Sequence, residues 1–312
     1  MLQIIKTYPE GQRQLDRIEE GCWINLSCPT AEELARVERE TGVLGEFLRA
    51  ALDEEERSRI EWDEDTEQVL ILVDIPRVEK EGGSFVYTTL PFALIHLKDY
   101  LITVSLAESS LVRSFQEGVV RGFYTNKKTR FIYQLLYHNA SRYLHYLRQI
   151  DKASDRVHEE LQKSYRNREL LQLMALEKSL VYFSTSLKAN EMVLEKLIKV
   201  NFIQKYPDDQ DLLEDVIIEN KQAIEMCSIY RDILTGMMDA YASIISNNLS
   251  IVMKFLAAIT IVISLPTLVT SAWGMNVRMP WGEHPWGFAI VSGLSAAIAI
   301  AAGIIMWRKK MF

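Results

Sequence analysis

Hydrophobic and polar positions change rhythm twice along this chain. Up to about residue 125 they come in short alternating runs. "LQIIKTY", "CWINLSC", "QVLILVDI", "FVYTTLPFALIHL" and "YLITVSL" read as strands, with Gly82-Gly83 and Lys98-Asp99 at turns. Thr30-Ala31-Glu32-Glu33 has the spacing of a capping box and opens a helix through about Thr41. A second short helix is expected over Val43 to Asp53. After Phe131 the apolar positions recur at helical spacing, as in "FIYQLLYHNASRYLHYLRQI". A break near Asn167 leads to another helix through about Phe202. "KYPDDQD" then interrupts the pattern, and Asp208 or Asp209 is placed to cap the next helix.

From Asp211 to Trp273 the pattern is helical throughout, with one interior glycine, Gly236, and one proline, Pro266. A continuous helix of about 63 residues would run on the order of 95 Å at 1.5 Å per residue. Its last part, Phe255 to Trp273, carries no charge, and neither does Pro285 to Trp307. Roughly 20 apolar residues cross a bilayer core, so both runs qualify as spans, and a proline within a span is tolerated. The expected architecture is α+β. It comprises an αβ domain (1–125), antiparallel helices (126–207), and a long stalk helix (208–273) whose end, about 255–273, is the first span. A loop (274–284), a second span (285–307) and a basic tail (308–312) complete the chain.

Charge adds orientation. The net charge is -7, which describes an ordinary acidic soluble protein and hides the apolar C-terminal part. Arg308, Lys309 and Lys310 follow the second span and Lys254 precedes the first, whereas the loop holds only Arg278, Glu283 and His284. Positive residues stay cytoplasmic, so both termini are expected inside an inner (cell) membrane. "MLQIIKTYPEGQRQ" lacks the pattern of a signal peptide. Cys22, Cys28 and Cys227 have neither disulfide-framework nor zinc-site spacing. His138 and His145, seven apart, suggest packing rather than metal ligation. The nine acidic residues between Asp53 and Glu67 read as a solvated loop and edge strand. No nucleophile-base pair and no Walker-type phosphate loop is present, which argues against an enzyme and against nucleotide or nucleic-acid partners.

One stripe on the long helix stands out. Asp239, Ser246, Met253, Thr260, Thr267 and Gly274 recur every seventh residue, and so do Ser243, Ser250, Ala257, Ser264 and Ser271. Together they form a heptad seam that is almost wholly small or polar, where a coiled coil would carry leucine and isoleucine. Small residues let membrane helices pack closely. Alternatively, copies of the helix around an axis would line an aqueous path with this stripe. Two spans per chain cannot enclose a channel, so a pore needs an oligomer.

Gly274-Met275-Asn276 closes the first span just before a second and final one. With the stretch "YRDILTGMMDAYASIISNNLSIVMKFL", Tyr230 to Leu256, it resembles the CorA family of divalent-cation transporters. The resemblance is specific over about Asp211 to Phe312. It implies a funnel-shaped homopentamer with the first spans lining the pore. Asn276 would then form a ring of carboxamides at the outer mouth, with Gly274 allowing close backbone approach and Met275 packed behind. Asp239 would form a carboxylate ring at the cytoplasmic end, Met253 and Leu256 an apolar constriction, and Thr267 a polar step. Asp215 matches a regulatory carboxylate that binds cation between subunits, with a partner near Glu79. The implied ion is Mg2+, with Co2+, Ni2+ or Zn2+ as the alternatives. Transport would be passive, since two charges gain roughly 4 to 5 kcal/mol per 100 mV at about 2.3 per charge. A non-conducting, membrane-anchored cation sensor of the same fold is the rival reading.

Some residues depart from the family pattern. Trp273 stands where tyrosine is usual. "VRMPWGEHPW" lacks the acid that often follows Met279-Pro280, leaving Glu283 alone to steer cations to the mouth.

Overall fold

Seven strands form one mixed sheet in the order β2-β1-β3-β7-β6-β5-β4. They are β1 (Leu2–Tyr8), β2 (Gly11–Leu15), β3 (Trp23–Ser27), β4 (Arg59–Asp63), β5 (Gln68–Glu81), β6 (Ser84–His96) and β7 (Leu101–Ser105). Among the described residues, only β3 and β7 pair in parallel. The computed structural model describes the chain apart from residues 82–83, 164–166, 201–202, 204–205, 276–284 and 310–312. It divides into two units, 1–236 and 237–312.

The sheet is covered on both faces, which explains why "VLILV" of β5 is apolar without alternation. Leu70, Leu72, Ala93 and Ile95 pack with Val37, Phe47 and Leu48 of α1 (Ala31–Thr41) and α2 (Gly45–Ala50). Val69, Ile71, Val73, Phe92 and Leu94 pack on the other side, against α3 (Ser110–Gln116), α4 (Lys128–Lys163) and α5 (Asn167–Lys199). Trp23, fully buried, sits edge-on to Phe131 and Phe123, and its indole N–H donates to Thr103 at 2.8 Å.

The capping box forms as expected. The Thr30 hydroxyl accepts from the Glu33 amide at 3.2 Å, and the Glu33 carboxylate accepts from the Thr30 amide at 2.9 Å. Other boundaries move. The second helix is only Gly45–Ala50, and β2 and α3 had no sequence signal, being polar and short respectively. The acidic stretch is a loop plus the edge strand β4, where Arg59 pairs with Glu56 and Glu61. His138 packs edge-on against Phe115, 5.3 Å between ring centres. All three cysteines are free, and burial pushes the Cys227 thiol up to about 11, which keeps it unreactive.

β5 also outruns its expected end, continuing through Pro76 to Glu81. The reason lies at Asp74. The pairing with β4 stops at Leu72, so the next stretch of β5 has an open edge. Asn190 of α5 closes it with its carboxamide: Oδ1 accepts from the Asp74 amide and Nδ2 donates to the Asp74 carbonyl, both at 2.8 Å. One side chain thereby stands in for a strand. Main-chain polarity alternates along a strand, so the nitrogen of Pro76 also faces this outer edge, where its missing proton breaks no bond to β6. Asn139 and Tyr143 of α4 donate to the same Asp74 carbonyl, at 2.9 and 3.2 Å.

The last two helices are α6 (Pro207–Trp273) and α7 (Gly287–Arg308). α6 starts earlier than the capping argument expected, with Pro207 in the first helical position, where a missing N–H costs nothing. Asp209 therefore lies inside the first turn rather than serving as a cap. It is buried and paired with Arg130 at 2.9 Å.

Two of these arrangements bear on stability. Asn190→Ala leaves the Asp74 amide without a partner, at roughly 1–3 kcal/mol for one unsatisfied group, while Asn139 and Tyr143 still donate to the carbonyl. Urea titration of the variant should show a loss of about 1–3 kcal/mol; a loss below about 0.5 would mean water replaces the amide. His96 is held down to about 4 from 6.5, chiefly by burial and then by Lys128. The unfolded chain then binds a proton that the folded chain refuses, so stability falls as pH drops from 6.5 toward 4. Melts at stepped pH should show His96→Gln with a shallower decline over that window, and an unchanged slope would remove His96 from the account.

Candidate ion pathway

Among the described residues, two helices are long and apolar enough to span a bilayer, with mean hydropathy 2.1 for the end of α6 and 2.3 for α7. The chain buries only 6 % and 11 % of these windows. A core helix of a soluble protein would be mostly covered, so this surface must be covered by lipid or by other copies of the chain.

Within the second unit, burial falls on one side of each helix. On α6, Ala258 is fully buried, and Val262, Leu265, Pro266, Val269 and Trp273 are partly so. On α7 the buried positions are Gly287, Val291 and Ser295, with Ala299 and Gly303 partly covered. These spacings of three and four residues define one face per helix, and the small residues on α7 suit close helix packing.

The stripe lies on the other side of α6. Asp239, Ser243, Ser246, Ser250, Met253, Leu256, Ala257, Thr260, Ser264, Thr267 and Ser271 are all exposed in the single chain. At 100° per residue, the centre of this stripe is roughly 130–150° around the helix from Ala258 and about 170° from Val262. The face covered within the chain and the hydroxyl face are thus opposite. α7 cannot serve both.

The hydroxyls are oriented by their own helix. Ser250 donates to the Ser246 carbonyl at 2.9 Å, Thr260 to Leu256 at 2.8 Å, Ser264 to Thr260 at 2.6 Å and Thr267 to Ile263 at 2.9 Å. Each proton is therefore committed to the carbonyl one turn back. What remains for the surroundings is a pair of oxygen lone pairs, an acceptor surface. Thr270, which the heptad pattern passed over, donates to the carbonyls of Pro266 and Thr267, both at 3.1 Å. Its neighbour Pro266 offers no N–H to the carbonyl four residues earlier.

At the end of α6, Gly274 donates to the Thr270 carbonyl at 3.0 Å and Met275 to Ala272 at 3.4 Å, which winds up the last turn. A β-carbon on Gly274 would sit 3.4 Å from that Thr270 oxygen, at the edge of ordinary van der Waals contact. Met275 is 58 % exposed. Asn276, and with it Arg278, Glu283 and His284, lies outside the described residues.

The two carboxylates matched to a regulatory site are both exposed. Glu79 on β5 pairs with Arg77 of its own strand at 2.9 Å, and Asp215 stands on the solvent side of α6, next to the buried Val216. Among the described residues, no three His, Cys, Asp or Glu side chains gather to hold a metal ion.

The model of the CorA-like Mg2+ transporter protein family matches residues 19–310. The chain belongs to the CorA family. It is 28 % identical over 298 residues to the cobalt/magnesium transport protein CorA of Methanocaldococcus jannaschii, covering 92 % of this chain and 90 % of the relative. The CorA of Thermotoga maritima is 28 % identical over 203 residues, 61 % of this chain and 55 % of the relative. The complete structure of the CorA magnesium transporter from M. jannaschii superposes with a TM-score of 0.86 at 25 % identity, spanning 99 % of this chain and 98 % of that one. Full-length CmaX shares the fold at 19 % identity, with a TM-score of 0.71 and coverage of 99 % and 97 %. The architecture is therefore that of CorA: an N-terminal soluble αβ domain, a long helix and a C-terminal apolar hairpin. Like its family, this CorA member is a membrane transporter of divalent cations and not an enzyme.

The two faces of α6 can be separated by substitution. Ala258→Leu overpacks the covered face and should destabilise the hairpin by about 1–3 kcal/mol. Thr260→Val on the stripe should leave the isolated chain's stability within about 0.5 kcal/mol. Equal losses in detergent-unfolding titrations would mean that both faces are packed within the chain.

Proposed function

We propose that copies of this chain surround an axis with the hydroxyl stripe of α6 inward, forming a homopentameric pore that carries divalent cations, Mg2+ foremost. The observation that carries this reading is the stripe opposite the covered face, with its hydroxyl protons already given to the helix. A hydrated Mg2+ holds its waters tightly and presents their hydrogens outward. A wall of acceptor oxygens matches that shell, whereas lipid offers the lone pairs nothing. Co2+ enters with Mg2+ because the M. jannaschii relative is named for both ions. Entry is passive and inward, with both termini in the cytoplasm of a cell whose membrane potential draws cations in.

In this reading Asn276 forms the outer ring. Neutral carboxamide oxygens hold a hydrated ion without trapping it, as a ring of carboxylates would. Gly274 keeps the backbones close there, and Met275 packs behind. Met253 and Leu256 narrow the path further in, and Asp239 gathers cations at the cytoplasmic end. Asp215, with Glu79 as the candidate partner, binds cation between neighbouring subunits and favours the closed state, so internal cation limits its own entry. Glu79 must leave Arg77 to do this.

The test is uptake into proteoliposomes across a panel of divalent ions. Wild-type protein should admit Mg2+ and Co2+, and Asn276→Ala should cut flux by at least about tenfold while the oligomer stays intact by native mass. In the same vesicles, Asp215→Asn should keep conducting at internal Mg2+ that closes the wild type. Unimpaired flux in Asn276→Ala ends the selectivity role. A preference for Zn2+ or Ni2+ over Mg2+ ends the magnesium reading, and a tight oligomer with no flux leaves the cation sensor.

A further inference from the structure

The first unit contains a cavity of about 740 Å3, within the range of small-molecule sites. Four separate segments line it: the end of β4 and its turn, the end of β6, the start of α4 and the start of α6. Four of the lining residues are cations, Lys98, Lys127, Lys128 and Arg130, against two carboxylates, Glu67 and Asp209. Asp209 is already taken by Arg130. None of the three lysines forms an ion pair among the described residues. Lys128 gives its protons to main-chain carbonyls instead, those of Leu97 at 2.9 Å and of Lys98, and its half-buried ammonium is held below the usual lysine range by desolvation. Lys127 lies over the Tyr124 ring at 5.6 Å.

This is an unusual place for such a cluster. α4 begins at Lys128 and runs for 36 residues with no acid in its first turn. Lys127 and Lys128 therefore stand at the positive end of a long helix dipole, where anions are the favoured neighbours, and Lys98 lines the same cavity. They do so in a chain of net charge -7. The same wall carries two large exposed aromatic side chains, Trp62 (45 % exposed) and Tyr206 (48 % exposed). A cavity lined by both cations and aromatic rings matches a ligand that joins several phosphates to a flat base.

We propose that this cavity binds a nucleoside polyphosphate, its phosphates on Lys98, Lys127, Lys128 and the start of α4, and its base against Trp62 and Tyr206. The lack of a Walker-type loop in the sequence does not count against it, because residues from four segments converge and leave no linear motif. The expectation of no nucleotide partner rested on that missing loop alone.

The experiment is calorimetric titration of the full-length protein in detergent with ATP, adenosine and inorganic tripolyphosphate. ATP should bind, more weakly as salt rises, and adenosine should not. Lys98→Glu/Lys127→Glu, both exposed and away from the carbonyl bonds of Lys128, should weaken ATP by at least about tenfold. Trp62→Ala should weaken ATP several-fold and leave tripolyphosphate unchanged. Bound ATP should also raise the His96 pKa, read from its ring proton shifts, because His96 lines the same cavity. Circular dichroism confirms that each variant is folded. No heat with ATP at millimolar concentration, unchanged affinity in the double variant, or adenosine or tripolyphosphate binding as tightly as ATP would each overturn the proposal.

Discussion

A helix in a bilayer has only its sides to offer, and on α6 the two sides make incompatible demands. One carries Ala258, Val262, Leu265 and Val269, and is covered within the chain. The other carries hydroxyls from Ser250 to Thr267 whose protons are committed to their own carbonyls. An apolar face is content against any apolar surface. An array of lone pairs is not, because lipid has no donor to give it. Among the described residues the chain offers one further apolar helix, α7, and the hydroxyl face of α6 stays exposed. The proposed assembly of several copies answers that shortage.

The sheet unit shows the same concern with unsatisfied polar groups in a water-soluble setting. β4 is too short to cover β5, and the exposed edge would leave Asp74 with an amide and a carbonyl buried beneath α5 and unpaired. Asn190 supplies both partners from one side chain, and Asn139 and Tyr143 tie α4 to the same carbonyl. The main chain of one residue thus joins the sheet to both long helices. The Asp74 carboxyl is itself raised above the usual carboxylate range by burial, with the Ser186 and Ser58 hydroxyls acting in the opposite sense. A group raised in this way favours the fold at low pH and costs stability as pH rises past its folded value. The opposite sign at His96 means that the two groups bend the acid side of the stability curve in different directions.

The seam of small residues was legible because heptad spacing is a one-dimensional property, and so were the two spans, since twenty uncharged residues leave few alternatives. The capping box at Thr30 and the buried strands of the hairpin were equally plain. The early start of α6 at Pro207 was missed because Asp208 and Asp209 suit a cap as well as a first turn. β2 was missed because "GQRQL" is polar throughout and becomes a strand only by pairing with β1. The extension of β5 across Pro76 depends on which way one nitrogen points, and that is settled by Asn190, more than a hundred residues away.

Local order along the chain determined the elements, the membrane hairpin and the Gly-Met-Asn stop, since helix periodicity, strand alternation and hydropathy all act between near neighbours. Three matters were decided only in the folded chain. They are which side of α6 is covered, where the stripe's hydroxyl protons go, and the meeting of Trp62, Lys98, Lys128 and Tyr206 around one cavity. Each depends on how distant segments are brought together or on the rotation of a side chain about its own bond, and a linear pattern of residue types carries neither.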